Sequence, residues 1–317
     1  MKQNHLAEFY FYPMMLPLMI LILSFRGGFA ADFPRQIQDA SGQIFTLSAA
    51  PQRIISQTLA TDELLLHLVA LERIIAVSEL ARDKKYSNIA HRRDLPPAIP
   101  SNPELILTLK PDLILVAHYS RAETVILLQK SGAFVFQFKQ FSQIEDIENN
   151  IRLLGQLLAV ETSAEQLILA MRQRLALIET KRPHHHSPLR VIIRDQSYII
   201  GGDTLLDHLL TRLGAINIAR EQGIIGYQSL SEEALLLWQP DVFIELTLTD
   251  NPDDLKQQIK QHAVFSHLSA IKNNRFYPLP SSQLSSVSHY IVNGFAQLAA
   301  ALYSIPITDD MIFHDKP

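Results

Sequence analysis

NPELILTLKPDLILV, residues 102–116, is answered further along the chain by SEEALLLWQPDVFIE, residues 231–245. At an offset of 129 residues Glu104 meets Glu233, Leu107 meets Leu236, Pro111 meets Pro240 and Asp112 meets Asp241. Each stretch reads as a short amphipathic helix, a Pro-Asp turn and a buried apolar strand. Upstream, ELLLHL at 63–68 resembles TLLDHL at 204–209 and sets His67 against His208. Two matches in the same order describe a duplicated unit, and that self-similarity decides the fold before any single element does.

Working outward, the first half alternates strand and helix: strands at 53–56, 73–77, 113–116 and 134–138, helices at 62–69, 104–109 and 122–130. The second half repeats the scheme, with strands at 190–194, 242–246 and 276–279 and helices at 205–213, 231–239 and 288–303. Alternation at this spacing predicts parallel sheets covered on both faces. Between the halves, Ile144, Ile147, Ile151, Leu154 and Leu158 share one helical face. After a break near Thr162-Ser163, Leu167, Met171, Leu175 and Ile178 form another. The second of these helices, of about 18 residues and close to 27 Å, predicts a stiff joint. The expected fold is α/β, with two similar doubly wound lobes joined by a long connecting helix and a ligand cleft between them. Its boundaries are a signal peptide at 1–30, an N-terminal lobe at 31–140, a helical connector and linker at 141–188 and a C-terminal lobe at 189–317.

The N-terminus sets the expected compartment. Lys2 precedes an almost wholly apolar run at 14–25, and Gly28-Phe29-Ala30 places small residues where a signal peptidase reads. Pro13, Pro17 and that small-residue exit favour cleavage over a retained anchor. The chain has no cysteine among its 317 residues, which excludes disulfides, thiolate metal sites, cysteine nucleophiles and a lipid-modified N-terminal cysteine. A formal net charge of −4 and a pI near 6.3 lack the basic signature of a nucleic-acid binder. These features predict a soluble periplasmic protein, secreted through a cleavable signal peptide and monomeric, with no nucleic-acid partner.

Motifs for catalysis are missing: there is no G-x-S-x-G, P-loop, H-E-x-x-H or G-x-G-x-x-G, and Gly201-Gly202 reads as a turn before a helix. The informative residues lie at strand ends, where open α/β sheets bind ligands. In the first half these are Gln57, Thr58, Arg82, Tyr86, His118 and Tyr119; in the second, Tyr198, Tyr227, Thr247 and Ser282. Aromatic and hydrogen-bonding groups converging from two lobes suit a planar or bulky ligand. Glu63, after Thr61, and Glu233, after Ser231, fall in first helical turns, where they either complement helix dipoles or offer one carboxylate per lobe to an arginine-bearing partner. The histidines at 184–186 sit in a proline-bounded linker.

QRIISQT, TDELLLHLVALERIIAVS, NPELILTLKPDLIL, QIEDIENNIRLLGQLL and GYQSLSEEALLLWQPDVFI together resemble the helical-backbone periplasmic binding proteins, over roughly residues 51–303. The resemblance implies a non-enzymatic receptor that delivers an iron–siderophore complex, haem or cobalamin to an ABC permease dimer in the inner membrane. It implies no cofactor of the protein's own, any metal arriving inside the ligand. It also implies permease docking through one glutamate per lobe, at positions matching Glu63 and Glu233, with Glu104 the repeat partner of Glu233. The chain departs from the family at Ala70-Leu71-Glu72, where a glycine is usual. A receptor for a bare Zn²⁺ or Mn²⁺ ion is the rival reading; it needs three or four His and carboxylate side chains converging at ligand distance, and an approach of His118 and His289 beside a carboxylate would favour it.

Overall fold

The computed structural model describes residues 33–183, 187–249 and 251–314. The expected leader at 1–30 and the histidines at 184–186 lie outside the described residues. The described chain opens on an antiparallel hairpin, β1 (Arg35–Gln38) and β2 (Ile44–Leu47). Its alternation buries Ile37, Phe45 and Leu47, and the Phe45 ring meets Phe134 at 4.3 Å between centroids.

The first lobe runs β3 (Ile54–Ser56), α1 (Leu59–Leu68), β4 (Ile74–Ser78), β5 (Ala98–Ile99), α2 (Pro103–Thr108), β6 (Leu113–Ala117), α3 (Ala122–Lys130) and β7 (Val135–Phe138). Its sheet has the order β5-β4-β3-β6-β7, all parallel. In place of the family's glycine, a single 3-10 turn at Leu71–Arg73 carries the chain into β4.

Two helices follow, α4 (Ile144–Leu158) and α5 (Glu161–Thr180). The break between them falls at Ala159, in the left-handed region at φ 58°, and not at Thr162-Ser163, which lie in the first turn of α5. At Gly155 a Cβ would stand 2.6 Å from that of Ala164, so only glycine lets the two helices cross this closely. With 20 residues, α5 spans about 30 Å.

The second lobe comprises β8 (Arg190–Asp195), β9 (Tyr198–Ile200), α6 (Leu205–Arg212), β10 (Ile216–Asn217), α7 (Ile218–Glu221), β11 (Tyr227–Ser229), α8 (Glu232–Trp238), β12 (Val242–Thr247), α9 (Pro252–Gln261), α10 (Ser269–Lys272), β13 (Phe276–Pro280), α11 (Ser281–Leu284) and α12 (Ile291–Tyr303). Strands β10-β8-β12-β13 repeat the parallel order β4-β3-β6-β7 of the first lobe. The expectation of a purely parallel second sheet is corrected at one side, where β9 and β11 pair antiparallel. A two-residue turn with Gln196 at φ 54° folds β9 back on β8.

The Pro-Asp pairs do the same work in both lobes. Asp112 accepts the Arg53 N–H at 2.9 Å, and Asp241 accepts the Arg190 N–H at 2.8 Å. Each carboxylate thereby ties the turn before β6 or β12 to the start of β3 or β8. Arg53 and Arg190 donate in turn to the carbonyls of Leu109 and Trp238, which are themselves repeat partners.

Strand residues alternate between two cores. Ile54, Leu113 and Leu115 face inward with Val191, Ile193, Val242 and Ile244 of the other lobe, joined by Leu154, Met171 and Leu175 of the connector and by α12. Ile55, Ile114 and Val116 face an outer core of the first lobe, while Ile192 and Phe243 face one of the second. The connector thus contributes to one continuous inner core shared by both lobes. Among the described residues no helix is long and apolar enough to cross a membrane.

Candidate functional site

The carboxyl ends of the strands of both lobes face a shared cleft, as parallel sheets lead one to expect. It consists of two chambers of about 500 and 460 Å³, which have Tyr119, Ser285 and Val287 in common. The first chamber takes Gln57, Thr58, Glu63 and Arg121 from the first lobe and Ser286 from the second. The other takes His118, Lys139 and Phe141 from the first lobe and Asp203, Thr204 and Tyr227 from the second.

Local structure explains these placements. Thr58 is the N-cap of α1 and accepts the Thr61 N–H at 3.3 Å, so its side chain sits where β3 ends and the helix begins. Thr204 caps α6 in the same way, accepting from the Asp207 N–H at 3.2 Å. His118 and Tyr119 follow the last residue of β6, and Phe141 lies three residues beyond β7. The three rings form a cluster, with His118 stacked on Phe141 at 6.0 Å and Tyr119 at 5.3 and 5.8 Å from the other two. Tyr119 remains 55% exposed, so its ring offers a face to a ligand. Partial burial pushes the phenol up to about 12, against the effect of the Thr58 hydroxyl and helped by the carboxyls of Asp62 and Glu63. Tyr119 is therefore a neutral phenol in the free protein, suited to stacking and to hydrogen bonding. Tyr227, 58% exposed, faces the cleft from the second lobe, and its phenol is raised by burial and by Asp195.

Gln57, Thr58, His118, Tyr119 and Tyr227 thus come together across the cleft. Arg82, Tyr86, Tyr198, Thr247 and Ser282 do not. Arg82 is drawn to the Leu95 carbonyl at 2.9 Å, and Tyr86 ends a turn outside the walls of both chambers. Tyr198 pairs with Ser229 in the antiparallel ribbon, Thr247 caps its own turn by accepting the Thr249 N–H, and Ser282 uses its carbonyl to accept from Asn88.

The largest correction concerns Glu63. Helix α1 starts at Leu59, a turn earlier than expected, so Glu63 lies in its second turn and is only 1% exposed. It accepts hydrogen bonds from the Asn88 N–H and side-chain amide and from the Ser286 and Ser288 hydroxyls. A carboxylate so enclosed cannot reach a permease. Glu104 and Glu233 are the matched pair: each is the second residue of its short helix, and both are exposed.

Sequence reasoning passed over Asn88, Phe141, Lys139, Asp203, Thr204 and the serines at 285–288. The serine-rich run SSQLSSVSHY at 281–290 carried a signal in its composition. Asn88, alone in an irregular stretch, carried none. The rival metal site does not assemble: His118 is in the cleft, while His289 is buried against His67, Tyr290 and Phe313. Among the described residues no group of three His, Asp or Glu side chains is placed to hold a metal ion.

Comparison with known proteins agrees with this architecture. An uncharacterized ABC transporter substrate-binding lipoprotein of Bacillus subtilis is 24% identical over 282 residues, which cover 86% of this chain and 86% of the relative. A cobalamin-binding protein of Halobacterium salinarum is 24% identical over 285 residues, covering 88% of this chain and 76% of the relative. The crystal structure of a possible iron-binding, periplasmic solute-binding protein of Staphylococcus epidermidis superposes with a TM-score of 0.70 at 25% identity, covering 80% of this chain and all of that one. The sequence profile of the periplasmic binding proteins matches residues 54–283. That match begins with β3, runs through both lobes and ends in α11, and the chain belongs to the periplasmic binding protein family.

Proposed function

We propose that the protein is the extracytoplasmic receptor of an ABC importer and that it captures a bulky metal chelate, of the corrinoid, haem or ferric-siderophore kind, in the cleft between its lobes. The observation that carries this reading is the cleft wall: the exposed ring of Tyr119, backed by His118 and Phe141, faces Tyr227 of the second lobe across space for a large ligand. Arg121 and Lys139 at its margins complement carboxylate or phosphate groups on such a ligand. No bond is made or broken. The metal belongs to the cargo, and ATP hydrolysis at the partner supplies the work. Docking onto the two permease subunits falls to Glu104 and Glu233, in place of Glu63 and Glu233.

Purified protein titrated with cyanocobalamin, haemin, a ferric hydroxamate and a ferric catecholate, and followed by visible absorption, tests the reading. At least one should bind, and Tyr119→Ala should weaken that binding about tenfold, the equivalent of one aromatic contact. Failure of all four while Zn²⁺ binds would overturn the proposal.

A further inference from the structure

The Glu63 carboxylate divides its two oxygens between the lobes. Oε1 accepts the backbone N–H of Asn88 at 3.1 Å and its side-chain amide at 2.9 Å, both within the first lobe. Oε2 accepts the hydroxyl of Ser286 at 3.0 Å and that of Ser288, both from the second. Asn88 reinforces the link by donating to the Ser282 carbonyl at 2.9 Å. These four donors to Glu63 are neutral. A buried carboxylate held by neutral donors is an expensive joint between two surfaces, and it persists only where every bond is made.

Its location gives the joint a use. Ser286 and Ser288 turn toward Glu63, while their neighbours Ser285 and Val287 line both chambers of the cleft. The segment is internally braced, since the Ser286 hydroxyl accepts the Ser288 N–H and the Ser288 hydroxyl accepts the Tyr290 N–H. What the carboxylate grips is therefore a stiff strip of the opposite wall.

We propose that Glu63 is the positioning residue of the binding site: by gripping Ser286 and Ser288 it fixes the second-lobe wall against α1 and sets the width of the cleft presented to the ligand. The grip itself stands on the contacts alone; only its effect on affinity rests on the function proposed above. Burial raises the Glu63 carboxyl above its usual range, with the hydrogen bonds from Ser288 and Asn88 the main opposing influences.

The test uses the absence of cysteine, which allows spin labels to be placed at Lys130→Cys and Gln258→Cys, one on each lobe, without competing thiols. Interlobe distance distributions from double electron–electron resonance are then compared for the wild type, Glu63→Gln, Glu63→Ala, the double variant Ser286→Ala/Ser288→Ala and the triple variant that adds Glu63→Ala to it. Glutamine keeps an acceptor for Asn88 and offers its amide to the two serine oxygens, so it should retain a narrow distribution. Glu63→Ala and the serine double variant should both broaden it, and the triple variant should be no broader than Glu63→Ala, because the residues act as one unit. Affinity for cyanocobalamin or haemin should fall about tenfold in the broadened variants, as expected for loss of one to two hydrogen bonds to a charged group, and recover in Glu63→Gln. If the serine double variant matches the wild type in distance and affinity, Glu63 acts within its own lobe through Asn88 and the proposal is wrong. Should none of the four chelates bind the wild type, the proposed ligand class fails, and the distance distributions still decide the grip.

Discussion

Asp62 and Glu63 are neighbours in α1, both buried, and they face opposite tasks. Asp62 stays within its lobe, accepting the Ser78 N–H at 3.1 Å and the Ser78 hydroxyl. Burial raises its carboxyl to about 7, outweighing the Ser56 and Ser78 hydrogen bonds. Between the ordinary carboxylate range and pH 7 the folded state therefore binds a proton that the unfolded chain releases, so stability rises as pH falls through that window. Glu245, raised to about 7 by burial against the pull of Arg194, contributes with the same sign. Buried His289, held well below its usual range, acts in the opposite sense as pH falls, so the test is differential: from pH 8 to pH 5 the wild type should gain more stability than Asp62→Asn in chemical denaturation, by an amount of the order of a few kcal/mol. On the surface the expectation is of another kind. Glu104→Ala and Glu233→Ala should each impair ligand uptake by cells while leaving the affinity of the purified protein unchanged, since both side chains are exposed at helix starts and neither lines a chamber of the cleft. A loss of ligand affinity in either variant would contradict the docking role.

At the scale of elements, the paired turns before β6 and β12 are the most economical feature of the fold. Asp112 and Asp241 each replace a missing strand partner with a carboxylate, so Asp112→Ala and Asp241→Ala should each lower unfolding free energy by about 1–2 kcal/mol. Their effects should be nearly additive in urea titrations, because the two turns belong to different lobes and share no partner. The same repeats made the central strands legible: Leu113, Ile114 and Leu115 are apolar without interruption because they meet two cores. Edge elements were less so. The ribbon of β9 and β11 is three residues long in each strand, and β11 is exposed throughout, so neither alternation nor burial marks it in the sequence. Helix α9 carried its start signal in Asn251-Pro252, with Asn251 accepting from the Asp254 N–H. Its low hydrophobic content hid the rest. The start of α1 was misplaced because Thr61, a good capping residue, lies three positions after Thr58, which fills the role, and Glu63 was expected in a first turn with it.

For the whole molecule, the governing fact is the continuous inner core. Two lobes with separate interiors would unfold in separate steps; here Met171 and Leu175 of α5 pack in the same cluster as Leu115 of one sheet and Ile193 of the other. Calorimetry of the described fold should accordingly give one cooperative transition. Met171→Ala, at a fully buried position, should cost about 2–5 kcal/mol and lower that transition without dividing it. The duplicated architecture could be read from the order of its repeats, yet this sharing could not, because apolar periodicity says that a face is buried and not which neighbour buries it. The cleft was legible to the same degree. Strand ends pointed to Thr58, Tyr119 and Tyr227, which line the cleft, whereas the positions of Arg82 and Tyr198 depended on the paths of loops and ribbons.

The two chambers share Tyr119, Ser285 and Val287, so a guest that fills both lies against all three. A compact guest can be seated in one chamber and leaves the other to a second copy or to water. An extended guest occupies both and excludes any companion. The number of molecules taken up at saturation consequently reports the outline of the cargo, before its chemistry is known.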